Sequence, residues 1–351
     1  MYDIDALTTV MNLKEELDKR VEFKHLTCRK HPMADLWIYN YTPVCQFEKI
    51  WDEYTMMARG LILDAQDNVV ARPFKKFFNL GEHQGALPSG TPEIYEKFDG
   101  SLGILYWIGD DAYIATRGSF ESEQAIKGTE LLKGYRTLIL DRTKTYLFEI
   151  IYPDNRIVVD YGSREDLVLL AVIDTQTGVE EKLEDYCYDF PFVSPVEISV
   201  SDLGSKQETN KEGFVLKWAN GFRLKYKFDE YVRLHRILTG FSERRVWELL
   251  KDKTDFGQFL DKVPDEFYQW IKDVRNRLNS EFLTKKMKTI NLVGGLREGM
   301  TRKEHAAYIL ENGKELSAMA FKHLDGKDYD NLIWDSIYPP ATKPFKLDID
   351  S

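Results

Sequence analysis

The sequence predicts an α+β fold: antiparallel sheets with flanking helices, followed by an all-helical C-terminal region. Three observations carry this. Short segments rich in β-branched and aromatic residues recur through the first two thirds, separated by turn signals such as Gln66-Asp67-Asn68 and Gly109-Asp110-Asp111. Asn220-Gly221, between two alternating segments, marks a hairpin. After about Arg236 the apolar residues take helical spacing: Phe267, Trp270, Ile271, Val274, Leu278 and Phe282.

The elements follow in order. A helix is expected near Leu13–Val21. Strands are expected at Leu36–Tyr41, Gly60–Leu63, Val69–Arg72, Leu102–Ile108, Tyr113–Thr116, Tyr146–Tyr152, Ile157–Val159 and Leu167–Ile173. A helix through Ser122–Tyr135 follows the turn at Gly118. In the hairpin, a two-residue turn would pair Ala219 with Phe222, Leu216 with Lys225 and Phe214 with Lys227. Alternation then places Glu212 on the face of Lys225 and Lys227. Pro264 suits a first helical turn, within a helix spanning Val263–Lys288. Thr301-Arg302-Lys303-Glu304 resembles a capping box for a helix through Leu310. Pro339–Pro344 reads as a loop or docked extension. No internal repeat is visible. A chain of 351 residues suggests two domains, here 1–240 and 241–351.

Composition narrows the function. The formal net charge is −10, which argues against a protein that coats nucleic acid through many cations. It leaves room for a local basic groove. Cys28, Cys45 and Cys187 are odd in number, scattered and without metal spacing. The six histidines show no ligand spacing either. The N-terminus is charged where a signal peptide needs an apolar stretch, and no run would span a bilayer. A cytoplasmic protein with no membrane association is expected, and no protein partner is signalled.

The chemistry-bearing stretch is Lys97-Phe98-Asp99-Gly100-Ser101. In a strand, Lys97 and Asp99 would share one face. A lysine that loses its proton near neutral pH can attack phosphorus. Asp99 could help hold a metal ion, and Gly100 would let the backbone approach a ligand closely. Alone, Lys-x-Asp-Gly also fits an ordinary hairpin turn. Further along come Thr116-Arg117-Gly118-Ser119, Leu147-Phe148-Glu149, Glu212-Gly213-Phe214-Val215 and Leu224-Lys225-Tyr226-Lys227.

This order resembles motifs I, Ia, III, IV and V of the covalent nucleotidyltransferase superfamily, which includes ATP-dependent ligases and RNA capping enzymes. Met57-Ala58-Arg59-Gly60-Leu61, the run from Arg72 to Leu80, Tyr152–Val158 and Tyr231–Arg236 narrow the resemblance to the phage RNA ligase 1 family of tRNA-repair ligases. The match covers roughly residues 35–240. Arg117 stands where related ligases are expected to use lysine, so the charge is kept and the contact geometry differs.

The resemblance implies an adenylyltransferase domain and a helical domain concerned with RNA specificity. It implies an ATP-dependent RNA ligase that joins 5′-phosphate and 3′-hydroxyl ends, cleaved tRNA among them, in host cytoplasm if phage-encoded. Lys97 would be the nucleophile that becomes lysyl-AMP, with Asp99, Glu149, Glu212, Lys225 and Lys227 completing the catalytic set. Asp99, Glu149 and Glu212 would position Mg2+ or Mn2+, through waters. Arg59, Lys76 and Tyr231 would lie near the triphosphate and Phe78 near the adenine. Gly100 would line the nucleotide site, with Arg117 near the ribose or the RNA end. Singly, each residue has a plainer reading: Arg59 and Lys76 as surface cations, Phe78 and Tyr231 as packing, Glu149 as a strand residue. Arg275, Arg277, Lys285, Lys286 and Lys288 could touch RNA phosphates or form a solvated helix face. Competing functions are a DNA ligase, a capping-type nucleotidyltransferase and a non-catalytic RNA-binding relative. The first two usually carry a barrel after motif V, where this sequence reads as helix.

Overall fold

The computed structural model describes residues 13–185, 189–239, 242–260, 263 and 267–339. The chain divides into two compact units, Met1–Leu238 and Thr239–Ser351.

The first unit is built on three four-stranded sheets. One contains β1 (Leu26–Lys30), β2 (Leu36–Tyr41), β3 (Arg59–Asp64) and β4 (Val69–Ala71), in that spatial order. A second contains β7 (Ser101–Ile108), β8 (Asp111–Ala115), β9 (Lys144–Ile151) and β10 (Asp166–Asp174), ordered β10-β9-β7-β8. The third contains β5 (Phe78–Asn79), β6 (Glu93–Lys97), β11 (Gly213–Lys217) and β12 (Arg223–Lys227), ordered β5-β12-β11-β6. Neighbouring strands are antiparallel except β5 and β12, which run parallel.

Strands β7 and β9 read as nearly continuous apolar runs because both of their faces are covered. Ile104 and Leu147 point into one core with Ile38 and Ile62 of the first sheet. Their neighbours Leu105 and Phe148 point into another with Val168 and Val172. Helix α1 (Leu13–Glu22) closes the first sheet, where Leu17 joins Leu26, Tyr39 and Leu61. Two short helices, α2 (Pro43–Phe47) and α3 (Glu53–Met57), follow β2. Helix α4 (Glu123–Leu132) starts where the Ser122 side chain accepts the Ala125 N–H.

Two expectations fail here. Ile157–Val159 forms no strand. The N–H groups of Val158 and Val159 are taken by the Asp99 carboxylate at 2.8 Å each, leaving no strand ladder for them to join. The β11–β12 hairpin is also shifted by one residue. Leu216 pairs with Leu224, Val215 with Lys225 and Gly213 with Lys227. The cause is a three-residue loop closed by Trp218 and Phe222, with Gly221 at φ +79° and Asn220 accepting the Phe222 N–H.

After β12, the described residues form helices and no strand. Helix α5 (Asp229–Thr239) comes first. The second unit contains α6 (Glu243–Lys251), α7 (Phe256–Leu260), α8 (Tyr268–Gly294), α9 (Arg302–Gly313), α10 (Ser317–Leu324) and α11 (Asp330–Ser336). Phe282 of α8 stacks on Trp334 of α11 with ring centroids 4.7 Å apart. The capping box at Thr301 and Glu304 opens α9. Pro264, Cys187 and residues 340–344 of the Pro-rich stretch lie outside the described residues.

Candidate active site

Lys97 ends β6, directly opposite Gly213 of β11. Its Nζ lies 2.8 Å from Glu212 Oε2 and 3.4 Å from the Phe98 carbonyl oxygen. The other oxygen of Glu212 lies 3.2 Å from Lys227 Nζ. Glu212 is buried, so this carboxylate bridges two ammonium groups in a poorly solvated place.

Glu212 reaches this position by a route the alternation argument did not foresee. In the observed register Gly213, not Glu212, shares the face of Lys225 and Lys227. Gly213 adopts φ +148°, and a Cβ there would lie 2.0 Å from the Tyr226 carbonyl oxygen. Only glycine fits, and its unusual backbone swings the preceding carboxylate back into the site.

Glu149 projects from β9, and its Oε1 accepts the Gly100 N–H at 2.9 Å. A Cβ on Gly100 would lie 2.5 Å from the Ile150 carbonyl oxygen, so motif residue 100 must also be glycine. Burial, helped by Glu212 and Asp99, pushes the Glu149 carboxyl up to about 7, against the opposite pull of Lys97 and the Gly100 N–H.

Asp99 departs from its expected place. β6 ends at Lys97, so alternation does not carry to residue 99. The Asp99 carboxylate is buried: Oδ2 accepts the Val158 and Val159 N–H groups, and Oδ1 accepts the Tyr231 hydroxyl at 2.7 Å. Its own N–H donates to the Tyr161 hydroxyl. Asp99 is therefore a brace beneath the turn that follows Lys97. No group of three His, Cys, Asp or Glu residues among the described residues is arranged to hold a metal ion. Of the three carboxylates expected to position a metal through waters, Asp99 has both oxygens engaged by Val158, Val159 and Tyr231. Glu149 and Glu212 are the carboxylates left to face a cation through water, and positive charge there would offset the burial and the neighbouring carboxylates that push Glu149 up.

The other expected residues fall in two places. Lys225 is buried on β12, two residues before Lys227, whose Nζ lies 5.3 Å from the centre of the Tyr231 ring. Tyr231 touches Asp99 through its hydroxyl, so it sits under the site. Lys76 is buried, with its ammonium 5.5 Å from the Tyr41 ring centre, 5.7 Å from Trp51 and 5.6 Å from Phe78. Phe78 packs edge-on against Trp51 and forms one wall of that cage. Arg117 donates to the Tyr41 hydroxyl at 3.2 Å and covers its ring. Arg59 covers the Phe77 ring, and its Nη1 is buried with no hydrogen-bond partner.

In the helical unit, Arg277 pairs with Glu243 and Glu281, Lys285 donates to Ser336, and Lys286 pairs with Asp330. These cations have acceptors within the unit. Sequence reasoning missed Asn79, Tyr161 and Trp51. Only Asn79 carried a signal, as the polar residue closing an aromatic run.

A family model described as RNA ligase, of the T4 RNA ligase 1 type, matches residues 57–232, half of the chain. The chain belongs to the phage RNA ligase 1 family. That family comprises ATP-dependent RNA ligases. An RNA ligase of Rhodothermus phage RM378 is 26% identical over 81% of this chain and 84% of its own length. A candidate RNA ligase of Thermovibrio ammonificans is 30% identical over 61% of this chain and 60% of its own length. The chain thus spans less than two thirds of that second relative. Among solved structures, a candidate ATP-dependent DNA ligase from Aquifex aeolicus is 15% identical, with 90% of this chain and 88% of that one covered at a TM-score of 0.47. A Naegleria gruberi RNA ligase mutant with ATP and Mn is 17% identical over 42% of this chain and 51% of that one, at a TM-score of 0.34. No helix among the described residues is long and apolar enough to cross a membrane.

Proposed function

We propose that the first unit is an adenylyltransferase that activates RNA 5′-phosphate ends through lysyl-AMP and seals them to 3′-hydroxyl ends. The observation that carries this reading is the junction of Lys97 with Glu212 and Lys227. A nucleophilic lysine needs a group to take its proton and positive charge beside the phosphate it attacks. Glu212 Oε2, 2.8 Å from Nζ, is placed to accept the proton. Lys225 and Lys227 would meet the α-phosphate.

In the first step the Lys97 amine forms a bond to the α-phosphorus of ATP. The bond from that phosphorus to the bridging oxygen breaks, and pyrophosphate leaves with the electron pair. In the second, an oxygen of the RNA 5′-phosphate attacks the same phosphorus and the Lys97 N–P bond breaks, the electron pair returning to Nζ together with the proton from Glu212. In the third, the 3′-hydroxyl attacks the 5′-phosphorus, a phosphodiester forms and AMP leaves. Glu149 and Glu212 would hold Mg2+ or Mn2+ through waters, and that cation would supply further positive charge at the α-phosphate. Glu149 also fixes the Gly100 turn. Asp99, braced by Tyr231 and the loop at Val158, fixes the backbone that carries Lys97.

Broken tRNA is the proposed natural substrate and RNA specificity the proposed role of the helical unit, both from family membership. The test is incubation with a divalent cation and ATP labelled at the α-phosphate. Label should stay on denatured protein and be absent from Lys97→Ala. A broken RNA hairpin should be sealed in preference to nicked DNA. Freshly purified, AMP-free protein that takes up no label would refute the reading.

A further inference from the structure

The segment from Lys76 to Asn79 links the first sheet to the third, and its last residue has no explained role. Both polar atoms of the Asn79 side chain, Oδ1 and Nδ2, are buried with no hydrogen-bond partner. Leaving a buried amide unpaired is destabilising. Asn79 stands at the N-cap position of a short 3-10 turn, Leu80–Glu82, yet its side chain makes no capping hydrogen bond there.

Register shows where that side chain stands. Asn79 pairs with Lys225 across the parallel β5–β12 contact. Paired residues on adjacent strands share a face. Lys225 and Lys227 share it by alternation, and Lys97 lies on it opposite Gly213 and Lys227. One face of the third sheet thus presents Lys97, Lys227, Lys225 and Asn79 in succession. A row of cations that ends in an unpartnered amide donor is matched to an anion extending away from Lys97.

We propose that Asn79 binds the departing pyrophosphate: its Nδ2–H2 donates to a non-bridging oxygen of the β- or γ-phosphate, beside Lys225. This rests on the adenylyltransferase reading above and assigns the end of the nucleotide site that leaves in the first step. The amide orients the leaving group and adds no charge, so pyrophosphate is gripped without being trapped. The unpaired state of the amide in the empty protein is the stability sacrificed for that grip.

The test compares wild type with Asn79→Ala and Asn79→Asp in three reactions: lysyl-AMP formation from ATP, its reversal by pyrophosphate, and sealing of preadenylated RNA, which uses no triphosphate. Asn79→Ala should need about tenfold more ATP and pyrophosphate for half-saturation, the size expected for a hydrogen bond to a charged group. Asn79→Asp should be worse because it adds a negative charge. Sealing of preadenylated RNA should persist, and the Asn79→Ala melting temperature should equal or exceed that of wild type. Unchanged ATP and pyrophosphate dependence would overturn the proposal. Parallel loss of sealing, or a changed preference for ATP over GTP, would also overturn it by pointing to the base or the fold. Equilibrium binding of pyrophosphate to each purified protein needs no turnover. If wild type forms no lysyl-AMP, the adenylyltransferase reading falls, and equal pyrophosphate affinity in wild type and Asn79→Ala still decides against Asn79.

Discussion

The Tyr231 hydroxyl donates a 2.7 Å hydrogen bond to Asp99, tying the first helix after the last strand to the loop that follows Lys97. Both residues are buried. Tyr231→Phe would leave one oxygen of a buried carboxylate without its donor. The expected loss of stability is about 1–3 kcal/mol. The rate of lysyl-AMP formation should fall at least tenfold, while ATP affinity should change little because the ring stays under Lys227. Denaturant melts and single-turnover labelling check the two parts separately. A variant with wild-type rate would show that the brace does not position the nucleophile.

Gly213→Ala should be far worse than Gly221→Ala, although both glycines have positive φ. At Gly221 the added methyl meets open space, so only backbone strain of about 1–2 kcal/mol remains. At Gly213 it would strike the Tyr226 carbonyl and the Lys227 backbone. Strands β11 and β12 would have to part, taking Glu212 away from Lys97. Melting temperatures and adenylylation of the two variants, measured side by side, give the ranking.

The aromatic cage around Lys76 makes Trp51→Leu a test of cation–π stabilisation. Losing one ring from a buried ammonium should lower stability by about 2 kcal/mol or more. Trp51→Phe, which retains a π face, should recover much of it. A denaturant midpoint equal to wild type in Trp51→Leu would mean that the ring contributes only apolar contact replaceable by leucine.

Asp52 gives a pH dependence that can be read on stability alone. It caps α3 by accepting the Thr55 N–H and pairs with Arg20. Partial burial alone would raise its pKa, but the Thr55 N–H, Arg20 and the Thr55 hydroxyl outweigh it and hold the carboxyl below 3.8. Because the folded pKa lies below the unfolded one, the stabilisation is complete above the unfolded value and fades as pH falls through the folded one. Asp52→Ala should cost about 1 kcal/mol at pH 7. The gap to wild type should narrow as pH drops below about 4. A gap independent of pH would remove the charge from the explanation.

Much of the strand pattern was legible because apolar runs and turn signals are local. Leu36–Tyr41 was expected as a strand and is β2. The Thr301 capping box was likewise legible from four residues. What escaped depended on partners distant in sequence. Ile157–Val159 has strand chemistry, but its N–H groups answer to Asp99, some sixty residues earlier. The short strand β5 is held only by pairing with β12. The hairpin register turned on whether its loop held two residues or three, which Asn220-Gly221 allows either way. At the site, the meeting of Lys97 with Glu212 followed from motif order. The inward turn of Asp99 did not, because a carboxylate facing metal and one facing backbone N–H groups look the same in sequence.

The partner of Lys97 arrives 115 residues after it. During synthesis the lysine therefore emerges as an ordinary amine, long before Glu212 exists beside it. The reactive junction forms only when β11 docks on β6, which also demands the glycine that turns Glu212 inward. On the adenylyltransferase reading, covalent labelling of Lys97 would be a readout of completed folding of the first unit, and a chain stopped short of residue 212 should be chemically silent however well its earlier sheets have formed.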